Sequence, residues 1–223
     1  MQVTYLGHAS FKIEADGKVL FIDPWLNGPT SPIKVDDVRE ADICLVTHDH
    51  GDHGYAEAIE ICKKTGATFI GINELGLNAM QDGVENVHTL NIGGNVEVDG
   101  VTVTLVHAFH SCSIGTPTGF IVKLPSGTFY HTGDTGLFYD MKLFGELYDI
   151  DLLMLPIGSY YTMDIKEAVK AVELINPKVA IPMHYDTFPV IAANPKQFYQ
   201  KIVDKGKSKV EIMIPGDTKD IDF

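Results

Sequence analysis

Apolar and polar positions along the chain change period repeatedly, and each change marks a short element. Residues 2–6, 11–14 and 18–22 read as half-buried strands, with Ala15-Asp16-Gly17 as the hairpin turn between the second and third. Ile43-Cys44-Leu45-Val46 is a short apolar, β-branched run of the kind that forms a buried strand. From Tyr55 to Lys64 apolar residues fall at helical spacing; 67–71 returns to strand and 74–81 to a short helix, so a β meander gives way to α/β alternation. Strands follow over 86–90, 95–98, 101–106, 120–123 and 128–131, separated by Gly93-Gly94, Asp99-Gly100 and Pro125-Ser126-Gly127 turns. The spacing then predicts a helix over 137–147, a strand over 151–155, a helix from Ile165 to Ile175 capped by Asp164 and closed by Asn176-Pro177, and a strand over 179–181. A helix over 195–203, a final strand over 210–214 and a short tail complete the reading. No linker, low-complexity run or repeat divides residues 1–223, which are expected to form one domain.

The chemistry concentrates where the 43–46 strand ends. Thr47-His48-Asp49-His50-Gly51-Asp52-His53 places three histidines and two aspartates within seven residues. In extended chain His48 and His50 share one side while Asp49 points the other way, toward solvent or a supporting role. Gly51 permits a turn that sets Asp52 and His53 at the entrance of the next helix, where the helix dipole favours a carboxylate. An isolated Asp52 would be only a helix cap. Four imidazole and carboxylate groups at 48, 50, 52 and 53 are costly to crowd unless a cation such as zinc, iron or manganese holds them.

Other candidates are ambiguous on spacing alone. His8, in Gly7-His8-Ala9, and Asp23, before Pro24, lie at strand ends, as does Gly133-Asp134-Thr135. A lone histidine is commonly a hydrogen-bonded structural residue, and Asp-Pro and Gly-Asp commonly open turns. His107 and His110 are separated by an odd number of residues, so one of them faces away. His88 and His131 read as structural. Trp25-Leu26 either lines a pocket or caps the core, and Tyr160-Tyr161 either stacks on substrate or packs on its neighbours.

Charge and cysteine content narrow the classes. With 30 acidic and 17 basic residues the formal charge is −13, which argues against a nucleic-acid surface; Lys63-Lys64 and the lysines of 201–209 read as solvated charge. Cys44, Cys62 and Cys112 form no C-x-x-C pair, which suits a reducing compartment, and buried thiols are the expectation. The first residues carry neither a basic region nor a long apolar run, so no signal peptide or membrane span is expected and a cytoplasmic location is.

The pattern His-x-His-x-Asp-His after an apolar strand resembles the signature of the metallo-β-lactamase superfamily. Together with Gly7-His8-Ala9, Phe109-His110-Ser111, Gly133-Asp134-Thr135 and Pro182-Met183-His184-Tyr185, it is similar to the UlaG-like, metal-dependent hydrolase branch. The resemblance implies an α/β (α+β) fold, a four-layer αββα sandwich. It implies one ion at His48, His50 and His110, a second at Asp52, His53 and His184, and Asp134 as the bridge, with His107 left to support or packing. It casts Asp23 as the acceptor that orients a metal-bound histidine, and His8 as a residue near the site that acts as acid, ligand or support. The implied cofactor is two divalent ions per chain, Zn2+ first, with Mn2+, Ni2+ or Fe2+ as alternatives.

A seven-residue ligand set without thiolates leaves positions open for water or substrate, as catalytic sites do. The expected function is a binuclear hydrolase in which a metal-bridging hydroxide attacks a phosphodiester, cyclic phosphate or lactone, with Asp52, His8 and Asp134 as the catalytic carboxylate and imidazole groups. The partner is a small molecule, with homo-oligomers left open and no membrane. Two other classes stay in view: a di-iron redox protein of the same fold, whose resemblance fails at His50 where a glutamate is typical, and a metal-binding protein without turnover.

Overall fold

Two seven-stranded sheets carry the fold in the computed structural model, which describes residues 1–206 and 208–223. Lys207, within the lysine-rich 201–209 stretch, lies outside the described residues. The first sheet runs β1 (Gln2–Gly7), β2 (Ser10–Ala15), β3 (Lys18–Ile22), β4 (Ile43–Leu45), β5 (Thr68–Ile72), β6 (Val87–Leu90). Its β1–β3 are an antiparallel meander, and β3 to β6 are parallel. Helix α1 (Tyr55–Thr65) connects β4 to β5, and α2 (Asn73–Gln81) connects β5 to β6.

The second sheet has the same plan. Antiparallel β7 (Asn95–Val98), β8 (Val101–His107), β9 (Thr118–Leu124) and β10 (Gly127–His131) lead into parallel β11 (Leu152–Pro156), β12 (Val179–Met183) and β13 (Lys209–Val210). Helices α3 (Met141–Tyr148), α4 (Ile165–Ile175) and α5 (Pro195–Val203) make the crossovers.

Side-chain parity shows how the layers stack. In β11, Leu152 and Met154 join the core shared with the first sheet, while Leu153 and Leu155 join a second core with Phe144, Val169 and Phe198 of the helices. The period of two thus buries β11 on both faces, which is why Leu152-Leu153-Met154-Leu155 has no polar position. The order α1/α2, first sheet, second sheet, α3/α4/α5 is the four-layer αββα sandwich.

Two expectations at element ends are corrected. The helix expected over 137–147 begins at Met141, because Gly136 is tied back to the Phe109 carbonyl and Thr135 to Met163, which holds 135–140 against the neighbouring loops. The strand expected over 210–214 stops at Val210. After Glu211 N–H donates to the Ala180 carbonyl, the chain crosses to the other sheet, where Gly216 N–H reaches the Tyr5 carbonyl and β14 (Thr218–Asp220) pairs with β1. Asp164 caps α4 as expected, its Oδ1 accepting from Glu167 N–H while the Glu167 side chain accepts from Asp164 N–H. Among the described residues no helix is long and apolar enough to cross a membrane.

Candidate metal centre

The candidate side chains follow strand ends. His48 lies three residues past β4, His110 three past β8, Asp134 three past β10, and His184 one past β12. Strands of such sheets present their C-terminal ends to a common crevice, where ligands bind. The backbone closes the two sheets together here: Thr118 N–H donates to the Thr47 carbonyl and His184 N–H to the His8 carbonyl. Left-handed backbone at His8, Asp23 and His184 aims their side chains inward, a cost that is tolerated at functional sites. Gly133 is also left-handed, and a Cβ there would stand 2.4 Å from the Thr118 carbonyl oxygen, so only glycine lets the Asp134 turn sit this close.

Asp23 and Thr47 set the imidazoles. Asp23 accepts at 2.7 Å from the Thr47 N–H and hydroxyl, and its Oδ2 lies 2.7 Å from His53 Nδ1. His53 Nδ1 therefore donates, and its Nε2 is free to face inward. The Thr47 hydroxyl, having given its proton to Asp23, accepts from His48 Nδ1 at 3.0 Å, which leaves the His48 Nε2 lone pair also facing inward. Second atoms behind a ligand fix tautomer and orientation in this way.

The inward atoms fall into groups. Ligand atoms of His48, His50 and His110 lie within 4.8 Å of one another, as do those of His8, Asp52, His53 and His184. The Asp134 carboxylate stands between: its Oδ2 is 3.4 Å from His53 Nε2, 3.0 Å from His184 Nε2 and 3.6 Å from His110 Nε2.

His8 is buried and both its nitrogens are engaged, Nε2 with Asp52 Oδ2 at 3.2 Å and Nδ1 with the Thr187 hydroxyl at 2.9 Å. Its ring packs at a tilt against His184, with centroids 4.1 Å apart, and it is not itself among the residues that line the cavity over the cluster.

The electrostatics suit cation binding. Burial pushes His48 and His110 below the ordinary imidazole value, so these rings are neutral near pH 7 with lone pairs to give; burial also brings His8 down to about 4, a neutral ring whose two nitrogens are already engaged. Burial alone would depress His53, but the carboxylates of Asp134 and Asp23 override it and raise its affinity for a positive charge well above the usual range, and a cation held at Nε2 would take the place of that proton. Burial would raise Asp134 and Asp52; His53 and His184 hold the first well below the carboxylate range, and the His8 hydrogen bond does so for the second. Buried polar atoms are ordinarily paired. His53 Nε2, Asp134 Oδ1 and His184 Nδ1 are buried here without any hydrogen-bond partner, which a cation bound among these N and O donors would supply.

A cavity of about 560 Å³ opens over the cluster. Its floor is His50, Asp52, His110, Asp134 and His184; its wall is Ser111, Tyr161, Phe188 and Val190. Of the remaining candidates, His107 packs on Phe138 and Phe144, His88 is exposed, and Asp49 accepts from Ser113 N–H and so holds the loop after His110. His131 supports the floor, with Nε2 donating to the Ala9 carbonyl at 2.8 Å and Nδ1 accepting from Gly133 N–H at 3.2 Å. Trp25 is half-buried beside His8 and Phe188, Leu26 is in the core, and Tyr160 and Tyr161 are both exposed at the mouth. Cys112 is half-buried with its thiol toward the Ile114 carbonyl. Thr47, Thr187, Phe188 and Val190 were not singled out by the pattern; only Thr47, adjoining the motif, carried any signal.

Comparison with known proteins identifies the family and the fold. A family model described as a beta-lactamase superfamily domain matches residues 2–184. A UPF0173 metal-dependent hydrolase from Methanopyrus kandleri is 50% identical, over 98% of this chain and 99% of its own, and one from Staphylothermus marinus is 48% identical over 97% of each. The structure of Igni18, a metallo hydrolase from Ignicoccus hospitalis, superposes with a TM-score of 0.94 at 41% identity, covering 100% of this chain and 98% of that one.

Proposed function

The chain belongs to the beta-lactamase superfamily and within it to the UPF0173 metal-dependent hydrolases, and from that premise we propose that it is a hydrolase working with two divalent ions. The observation that carries the reading is the set of buried, unpartnered atoms on His53, Asp134 and His184, with the His53 nitrogen turned inward by the Asp23 carboxylate behind it. His48, His50 and His110 would hold one ion and Asp52, His53 and His184 the other, with Asp134 within reach of both sets. All donors are nitrogen or oxygen, which suits Zn2+, and Mn2+, Ni2+ or Fe2+ after it. Bound there, such ions supply Lewis acidity, bringing the pKa of water to about 7 and polarising a substrate carbonyl or phosphoryl oxygen.

The rest is done by the chain. Asp52 is the one carboxylate of the cluster partly exposed to the cavity, and His8, braced by Thr187, fixes its outer oxygen. Asp52 is placed to accept a hydrogen bond from the attacking water and so orient it, and His8 acts through Asp52 by holding its orientation and charge. The 157–163 and 184–192 segments contribute Tyr161, His184, Phe188 and Val190 to the cavity lining.

Chelation followed by metal return tests the reading. Hydrolysis of a panel of esters, lactones and phosphodiesters should vanish on chelation and return with added metal, and the chelated protein should melt lower, because ligand that binds only the folded state stabilises it. Full activity after metal removal contradicts it.

A further inference from the structure

The cavity separates its charge from its carbon. Every ionisable group on its surface, His50, Asp52, His110, Asp134 and His184, belongs to the floor. The wall offers two neutral hydroxyls, on Ser111 and Tyr161, and the apolar Phe188 and Val190; among the described residues no lysine or arginine lines it. Resting on the hydrolase reading, we infer that the substrate is an uncharged carboxylic ester or lactone whose part remote from the reacting carbonyl is apolar and lies against Phe188 and Val190.

Three observations converge on this. A phosphate carried away from the reacting centre is recognised by arginine, lysine or a row of backbone N–H groups at a helix start. Among the described residues no lysine or arginine lines this cavity, and the floor carboxylates and the chain's formal charge of −13 oppose a second anion. Secondly, Phe188, Val190 and Tyr161 are 37%, 51% and 55% exposed, so the fold leaves this apolar surface uncovered at the mouth of its own site. Pockets that hold small molecules pair such surface with a few placed polar groups. Thirdly, the wall is braced: Phe188 packs against Trp25 at 6.1 Å and against His8 at 5.7 Å, and Ile191 N–H donates to its carbonyl. A wall held by the residue that orients Asp52 is fixed relative to the chemistry.

The reaction is simple addition of water. The water oxygen bonds to the acyl carbon, the acyl C–O bond breaks, and the alkoxide oxygen takes one proton while the carboxylic acid releases its own at neutral pH. The product gains charge at the floor, and its apolar part stays unchanged at the wall.

The test uses metal-loaded protein and γ-lactones bearing alkyl substituents of increasing length, a lactone bearing a phosphate, and bis(p-nitrophenyl) phosphate. Expected is chelator-sensitive turnover of the alkyl lactones, with kcat/KM rising up to about fourfold per methylene until the wall is covered, and at least tenfold weaker turnover of the phosphate-bearing lactone. Phe188→Ala should flatten that chain-length slope, and Val190→Ala, at an exposed position, gives the same reading where the first variant folds poorly. Val190→Lys should raise turnover of the phosphate-bearing lactone. Binding is read separately from activity: a non-hydrolysable alkyl lactam should change the fluorescence of Trp25, the chain's one tryptophan, at lower concentration than an alkyl phosphate does. Chelator-sensitive turnover that prefers bis(p-nitrophenyl) phosphate or the phosphate-bearing lactone, or a slope untouched by both alanine variants, overturns this inference and leaves the hydrolase reading standing. Absence of metal-dependent turnover on every substrate overturns both.

Discussion

Asp23 Oδ2 lies 2.7 Å from His53 Nδ1, with both side chains fully buried. This contact makes His53 a donor on its outer side and leaves its Nε2 facing Asp134 at 3.4 Å. The remainder of the floor depends on it, because the same carboxylate also orders Thr47 and, through the Thr47 hydroxyl, His48.

Asp23→Asn keeps the size but replaces one acceptor oxygen with an amide donor. Metal affinity is expected to fall about 10–100-fold, the usual cost of losing such a supporting contact, while the fold is retained. Competition with a chromophoric chelator measures it, and unchanged affinity would show that His53 needs no orientation from Asp23.

His8 touches Asp52 but is absent from the cavity surface. His8→Gln is therefore expected to keep both ions and to lower kcat by roughly 10–100-fold, the range for a group acting behind a ligand. Elemental analysis beside kinetics decides it: loss of one ion in this variant would make His8 a ligand instead.

His131 gives a pH dependence of known sign. Burial holds its imidazole below the ordinary value, between the Ala9 carbonyl and Gly133 N–H. Above pH about 6.5 both folded and unfolded chains carry it neutral, and it contributes no slope. Below that, the unfolded chain takes a proton that the folded chain refuses, so stability is lost as pH falls toward the depressed folded value. Urea unfolding of chelated protein at pH 7.5 and 5.5 should show a larger loss for the wild type than for His131→Gln; equal losses contradict the assignment.

Much of this centre was legible before any coordinates. His48, His50, Asp52 and His53 announce themselves because one strand end and one turn deliver them from adjacent positions. His110, Asp134 and His184 are single residues after three distant strands, and only resemblance to known motifs grouped them; spacing within the chain carries no information about which strand ends meet. The parity argument at His107 and His110 pointed the right way for the wrong reason, since β8 ends at His107 and the chain beyond it is no longer extended. The left-handed backbone at His8, Asp23 and His184 was not legible, because Asp and His favour positive φ more than most residues yet adopt it at only a few of their positions. Phe188 and Val190 were missed for a similar reason: apolar residues in an irregular segment have no period to show which side faces a cavity. Strand β14 escaped because Thr218-Lys219-Asp220 has no apolar alternation and pairs at the exposed edge of the first sheet.

If two ion sites meet at Asp134, elemental analysis of purified protein, wild type against Asp134→Ala, will show it. Expected are about two divalent ions per wild-type chain and about one in the variant, with nearly all hydrolysis lost. Two ions and full turnover in Asp134→Ala, or a wild-type chain that hydrolyses its substrate with none bound, would contradict it.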